Sequence, residues 1–251
     1  MAQRRVVSLV PSLTQTVCAL GAGGQLVART IYCVEPKAEL AAVPACGGTK
    51  NPDIPRILAL EPDLALCCDE ENKPEHRHAL AGAGVTVHTV MPRSLDDVAA
   101  LLRDYGGLLG VGDAAERACA ELAAARREVR ALLAGRPPRR AAALIWKEPW
   151  MAVGGGCHMD GMMRELGLVN VLGERPGYPA VAWDELAALG PDLVLLPDEP
   201  WRFGEPDAAA LVAAKVAPAS LCCDGKDLGW YGAWTARGLR ALAAAVSEHT
   251  K

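Results

Sequence analysis

No apolar run in this chain reaches the ~18–20 residues that a bilayer-spanning helix needs, so no membrane insertion is expected. Positive charge is not in excess either. The formal net charge is −4, and the lysines and arginines are dispersed apart from the Arg136-Arg139-Arg140 group around a proline pair, which leaves no basic footprint for nucleic acid. GxGxxG, Walker and GxSxG motifs are missing, which leaves nucleotide-binding and serine-hydrolase readings without a signature. There is no CxxC, no HxxxH and no histidine-rich loop. The start, Met1-Ala2-Gln3-Arg4-Arg5, runs directly into Val6-Val7-Ser8-Leu9-Val10, which is too short for a signal h-region and lacks a cleavage site. Nine cysteines, an odd number, also fit a reducing compartment better than a disulfide framework. The expected address is cytoplasmic, and periplasmic only if a leader has been removed.

What the chain does contain is a repeat. Ile57-Leu58-Ala59-Leu60-Glu61-Pro62-Asp63-Leu64-Ala65-Leu66, closing on Asp69-Glu70, returns as Leu186-Ala187-Ala188-Leu189-Gly190-Pro191-Asp192-Leu193-Val194-Leu195, closing on Asp198-Glu199. Each copy reads as a short helix, a Pro-Asp turn, a buried strand and an acidic exit. One recurrence half a chain later marks two similar lobes rather than a solenoid, whose period is roughly 20–50 residues. Two lobes make a cleft, where small molecules bind.

Around the repeat, strands alternate with helices. Strands are expected at 6–10, 25–32, 64–68, 85–90, 141–146, 170–172, 193–196 and 219–223. Helices are expected at 13–20 with Ser12 as N-cap, and at 52–60, 74–83, 94–109, 113–134, 159–166, 184–189, 208–216 and 234–248. Parallel strands need such crossover helices. The predicted fold is α/β: two similar parallel-sheet lobes, residues 1–112 and 136–251, joined by one long interlobe helix over 113–135, with the ligand cleft between them.

Three segments then carry a resemblance: Ser8-Leu9-Val10-Pro11-Ser12, Gly47-Gly48-Thr49-Lys50-Asn51-Pro52-Asp53 and the 57–66 repeat. Together they resemble the class III, helical-backbone periplasmic-binding-protein family of ABC-transporter substrate-binding proteins, and most nearly its vitamin B12-binding members. The resemblance implies capture of a corrinoid, such as cobalamin, or another metal chelate without chemistry and without a covalent cofactor. It places Tyr32, Trp146 and Tyr178 on aromatic cleft positions, and Thr49 where the family has a fourth aromatic. It also implies a glutamate at the start of the repeated helix in each lobe, for docking on a permease. Those positions are Pro55 and Asp184, and Pro55 offers no charge, which puts permease docking in doubt.

The residues add their own candidates. No tryptophan precedes Trp146, and Trp146, Trp150, Trp183, Trp201, Trp230 and Trp234 all fall in the second half. Several follow strands, where aromatic faces suit a large planar ligand; the alternative is that half of them cover the lobe's own core. The expected ligand-binding set is Tyr32, Thr49, Lys50, Trp146, Lys147, Trp150, Tyr178, Trp201, Trp230 and Tyr231. Glycines 154–156 precede a helix and read as a flexible loop or an anion-binding turn. Cys33, Cys157 and His158 are the candidate metal ligands. The same three residues carry the runner-up function, a cytosolic enzyme or metal-handling protein on the same scaffold; no catalytic residue is otherwise nominated. The acidic exits Asp69-Glu70-Glu71 and Asp198-Glu199 read either as solvated turns or as cation-binding groups at strand ends.

Overall fold

A computed structural model describes residues 4–249, so Met1-Ala2-Gln3, on which the expectation of no leader rests, lie outside the described residues. The chain forms two compact units. Unit 1 takes the residues up to Met91 together with 98–120 and 231–234, and unit 2 takes 92–97, 121–230 and the chain from Thr235.

Unit 1 runs through β1 (Val6–Ser8), α1 (Pro11–Ala19), β2 (Leu26–Arg29), α2 (Lys37–Leu40), α3 (Ile54–Leu58), β3 (Leu64–Cys68), α4 (Pro74–Gly82) and β4 (Thr86–Val90). Helices α5 (Leu95–Leu109) and α6 (Gly112–Leu133) follow. The four strands form a parallel sheet in the order β2-β1-β3-β4. The five residues of β3 are all buried, as a parallel strand covered on both faces requires. Val7, Leu9, Ile57, Ala65, Cys67 and Leu80 fill the core on one side.

Unit 2 repeats the plan. It comprises β5 (Arg139–Trp146), β6 (Met151–Ala152), α7 (His158–Glu165), β7 (Leu168–Asn170), α8 (Trp183–Ala188), β8 (Leu193–Pro197), α9 (Glu205–Ala213), β9 (Ser220–Cys223), α10 (Gly225–Gly229) and α11 (Thr235–Glu248). Strand β5 lies between β7 and β8, and β9 flanks β8, all parallel. The short β6 pairs antiparallel with the carboxyl half of β5. The repeat keeps its register. Leu64, Ala65 and Leu66 face Val6, Val7 and Ser8, while Leu193, Val194 and Leu195 face Ala141, Ala142 and Ala143. Glycines end α1 and α7 in the same way, Gly21 at φ 79° and Gly167 at φ 69°, the left-handed conformation that releases a chain from a helix.

Helix α6 has 22 residues, a rod of about 33 Å. Its residues through Ala120 group with unit 1 and those from Glu121 with unit 2. Within unit 2, Arg240 of α11 bonds Glu121 at 2.6 Å and Glu128 at 2.5 Å, and Arg126 bonds Asp96 at 2.6 Å and Glu165 at 2.5 Å. Among the described residues, no helix is long and apolar enough to cross a membrane.

Some local expectations change. Helix α1 starts at Pro11 with Val10 as its N-cap, and Ser12 is buried inside the first turn. Proline at the first helical position lacks an N–H to cap and has its φ preset, so no serine cap is needed. Strand β2 stops at Arg29 because the chain turns outward at Ile31-Tyr32. Strand β6 and helix α10 are too short to leave a periodic signal.

Candidate functional site

In parallel α/β sheets, ligands sit beyond the carboxyl ends of the strands. In unit 1 those ends are organised by Asn72, which is 1% exposed. Its Oδ1 accepts the Cys68 N–H at 2.8 Å, and its Nδ2 donates to the carbonyls of Thr49 at 3.0 Å and Leu9 at 3.3 Å. One amide thus ties the exits of β1 and β3 to the glycine-rich 47–50 turn. The sequence reading missed it, although an asparagine just past a buried strand is a recognisable signal for side-chain-to-backbone bonding.

On this frame Tyr32 is the open aromatic, at 60% exposure, flanked by exposed Ile31 and Val34. A Cβ on Gly48 would stand 3.3 Å from its ring edge, so a side chain there would push the ring by a few tenths of an ångström. Lys50 is exposed and donates to the Glu70 carbonyl. Thr49 is buried and adds little to any wall, a correction that follows from its being held under Asn72.

Unit 2 offers the larger aromatic group. Trp146, at the end of β5, is 38% exposed and meets Trp201 edge to face, with centroids 5.1 Å apart and planes at 71°. Edge-to-face pairs satisfy the ring quadrupoles and leave a face free. Trp150 behaves differently. It stacks on Phe203 at 5.9 Å and leans on Trp183 at 5.3 Å, packed against the core that includes Leu144, Leu186 and Leu196. Lys147 lies 5.4 Å over the Trp150 ring and bonds Asp207 at 2.8 Å, which raises its pKa. Lys147 is therefore spent on the fold and is not a free cation for a ligand. Tyr178 is half-buried, between the bridges Gly155–Pro176 and Met151–Ala180 that lay its loop along the β6 segment.

Trp230 and Tyr231 are corrections. They are 8% and 6% exposed, not rim residues. In unit 2 the Lys226 ammonium lies 5.6 Å over the Trp230 ring. In unit 1 Tyr231 is buried, and burial pushes its pKa well up. The short α10 turn, absent from the sequence reading, buries the segment.

The glycine loop is neither flexible nor an anion cradle. A Cβ on Gly154 or Gly155 would overlap the carbonyl oxygens of Arg175 or Gly173, so these glycines allow two backbones to pair closely. The carboxylate of buried Asp160 already takes the Gly156 N–H at 3.3 Å, and also bonds Arg164 at 2.8 Å and Asn170 at 3.1 Å.

The metal reading is corrected as well. Among the described residues, no group of three or more His, Cys, Asp or Glu side chains is placed to hold a metal ion. Cys33 points into unit 1, 3.1 Å from Thr30 Oγ1, and burial pushes its thiol up. In unit 2, Cys157 is buried with its thiol 3.6 Å from the Gly154 carbonyl. His158 is buried, and burial lowers its pKa to about 4, so the ring is neutral and enclosed. The acidic exits resolve toward structure: Asp69 pairs with Arg77, and Asp198 accepts the Gly225 N–H at 2.8 Å. A concavity of unit 2 bounded by Leu133, Arg136, Arg139, Leu166 and Gly167 lies at the amino ends of β5 and β7, the opposite end from Trp146.

Known proteins share this plan. The vitamin B12-binding protein of Pectobacterium carotovorum subsp. carotovorum is 31% identical over 118 residues, which are 47% of this chain and only 42% of that protein. The vitamin B12-binding protein of Vibrio cholerae is 22% identical over 214 residues, 82% of this chain and 77% of its own. The crystal structure of a periplasmic heme-binding protein from Pseudomonas aeruginosa is 28% identical, covers 100% of this chain and 95% of its own, and superposes with a TM-score of 0.82. A family model described as periplasmic binding protein matches residues 6–208, from the first strand of unit 1 into α9 of unit 2. Since that match takes in both copies of the repeat and every strand that pairs in register with them except β9, the chain belongs to the periplasmic binding protein family.

Proposed function

We propose that this protein captures a planar metal tetrapyrrole, a corrinoid or a heme, and releases it unchanged. The observation that carries the reading is the Trp146–Trp201 pair at the carboxyl end of the unit 2 sheet, in which exposed Trp146 is held edge to face by half-buried Trp201. Such a pair gives a macrocycle a large, rigid contact at small entropic cost. Within unit 1, exposed Tyr32 carries an open aromatic face of its own. The vitamin B12-binding and heme-binding relatives named above support the same ligand chemistry. A thiol- or metal-dependent enzyme is disfavoured, because Cys33 is buried with a raised pKa and His158 is enclosed as a neutral ring.

Titrating the full chain with cyanocobalamin, hemin and a ferric siderophore, read by tryptophan fluorescence, tests this. Saturable quenching by cyanocobalamin or hemin is expected, lost in Trp146→Ala. No quenching by either overturns the reading.

Two subsidiary proposals concern setting. All nine cysteines are free thiols and seven are buried, which supports work in a reducing compartment, the cytoplasm. Fractionation of the native host decides this. Pro55 at the start of α3 is exposed and uncharged, while Asp53 spends its carboxylate capping the Arg56 N–H at 3.1 Å. That supports a protein that hands its ligand to something other than an arginine-bearing permease, and pull-down against the host's permeases is the check.

A further inference from the structure

Strand β2 ends on Arg29, and the chain turns at once. The Cys33 N–H donates to the Thr30 carbonyl at 3.2 Å, which closes a turn with Ile31 and Tyr32 as its two central residues. The ends of this turn are sealed and its tip is open. Thr30 and Cys33 are fully buried, whereas Ile31 is 53% and Tyr32 60% exposed. Three further contacts hold it. Arg29 Nη1 donates to the Thr30 carbonyl at 3.2 Å and to the Cys33 carbonyl at 3.0 Å, so one guanidinium nitrogen bridges both ends. Thr30 Oγ1 and Cys33 Sγ lie in hydrogen-bond contact at 3.1 Å. The Ile31 N–H donates to the Gly47 carbonyl at 2.9 Å, which fastens the tip to the glycine-rich turn that Asn72 holds. Half-buried Arg29 itself springs from fixed backbone: its N–H donates to the Pro44 carbonyl at 3.0 Å, and its carbonyl accepts the Cys46 N–H at 2.7 Å.

We propose that Arg29 is a positioning residue for the ligand face of unit 1: by bridging the carbonyls of Thr30 and Cys33 it locks the turn that presents Tyr32, so the ring is in place before a ligand arrives. The consequence for ligand affinity rests on the proposed function; the locked turn does not. Both acceptors are neutral carbonyls, so the bridge is charge-assisted and stronger than a bond between neutral groups. Fixing an exposed aromatic in advance removes an ordering cost from binding. A turn that holds its binding shape only about a tenth of the time would raise the apparent Kd about tenfold. Lysine lacks the planar, many-donor head, so Arg29→Lys keeps the charge and loses the bridge. An arginine that merely attracted an anionic ligand would be replaced by lysine with little loss. The same geometry gives Cys33 a part to play. Its amide, carbonyl and thiol all close the turn, which accounts for the burial of a thiol that the sequence offers as a metal ligand.

The test uses the full chain and begins without ligand. Amide order parameters of Ile31, Tyr32 and Cys33, measured by nuclear magnetic relaxation, are expected to be about 0.85 in the wild type, the value of rigid backbone. In Arg29→Met and Arg29→Lys they are expected to fall below about 0.6, with the rest of the sheet unchanged. A wild-type turn already below about 0.6, or one equally ordered in folded Arg29→Met, overturns the inference. Binding comes next, with whichever of hemin or cyanocobalamin binds the wild type. Arg29→Met and Arg29→Lys are each expected to weaken affinity about tenfold. In a Tyr32→Ala background, Arg29→Met is expected to cost nothing further, because the ring it positions is gone. A purely stabilising arginine would show no such dependence on Tyr32. Equal losses with and without Tyr32, or wild-type affinity in Arg29→Lys, overturn the inference. Should neither probe bind the wild type, the proposed function fails and the order parameters still decide the lock. Because the wild-type turn is measured first, the outcome does not depend on a variant that folds.

Discussion

The carboxylate of Asp192 accepts the backbone N–H of Arg140 at 2.9 Å, and the Asp192 N–H returns a bond to the Arg140 carbonyl at 2.8 Å. Asp63 and Arg5 make the same two bonds at the same lengths in unit 1. The arginine side chains complete the motif. Arg140 donates to the carbonyls of Leu189 at 2.5 Å and Gly190 at 3.1 Å, and Arg5 to those of Leu60 at 2.7 Å and Glu61 at 3.0 Å. These carbonyls end the repeated helix, where the backbone has no partner of its own. The Pro-Asp of each repeat is therefore the docking point where a helix end meets the first strand of its sheet. Asp63→Ala and Asp192→Ala should each cost about 1 kcal/mol, the loss of a hydrogen bond to a charged acceptor discounted for solvent exposure. The double variant should be additive, since the two motifs share no partner. Denaturant unfolding followed by circular dichroism measures both.

The tryptophans of unit 2 should divide by substitution. Trp146→Ala removes an exposed ring and should leave folding nearly intact, whereas Trp201→Ala also removes a half-buried ring that packs on the core and should cost some stability; each should weaken ligand capture by about tenfold or more. Trp150→Ala should do the reverse. Its ring is sandwiched by Phe203, Trp183 and Lys147, and truncation should cost about 3 kcal/mol through the cavity it leaves. Thermal melts beside fluorescence titrations separate the classes, and equal loss of affinity in all three variants would falsify the division.

This contrast also marks what sequence can reveal. The repeat, the buried apolar strands and the alternation of strand and helix are local signals with fixed periods, and they predict the two parallel sheets; the matched register of β3 and β8 comes from the structure. Side chains that work through distant partners carry no such signal. Lys147 reads as a free cation until Asp207 is placed beside it. Trp230 and Tyr231 read as rim aromatics because they come after the end of a strand, yet the α10 turn ends at Trp230 and both side chains are buried. Tyr32 and Trp146 are exposed because one follows the end of its strand and the other closes it, positions that strand boundaries alone determine, whereas Trp201, past the end of β8, is half-buried against the core.

The glycine loop gives a sharper test of a misread motif. Gly154 donates to the Gly177 carbonyl at 2.8 Å and Gly155 to that of Arg175 at 2.7 Å, with no room for a side chain at either position. Gly154→Ala and Gly155→Ala should each separate the paired segments and cost about 3 kcal/mol or more, as overpacking against rigid backbone does. Gly156→Ala faces open space and is limited only by its φ of 79°, so its cost should be nearer 1 kcal/mol. A phosphate-binding loop would show the opposite signature, modest stability changes and lost anion protection. Melting the three variants with and without added phosphate distinguishes the two.

His158 should make the fold sensitive to acid. Burial depresses its pKa from 6.5 to about 4, so the native ring stays neutral while the unfolded chain takes up a proton as pH falls below 6.5. The unfolded state then binds more protons than the native state, and stability declines as pH drops from about 6.5 to about 4, by about 3 kcal/mol in all. Glu199 acts in the opposite sense. Its raised pKa means that the native state takes up a proton more readily, which recovers some stability over the acidic part of the same range. The two are separable by substitution: His158→Leu should flatten the decline, whereas Glu199→Gln should steepen it. Urea midpoints measured across the range for wild type and both variants check this, and the slope rather than the absolute midpoint is the diagnostic, because either substitution also alters packing. A wild-type midpoint that is constant over this range would mean that the imidazole is not held neutral by its enclosure.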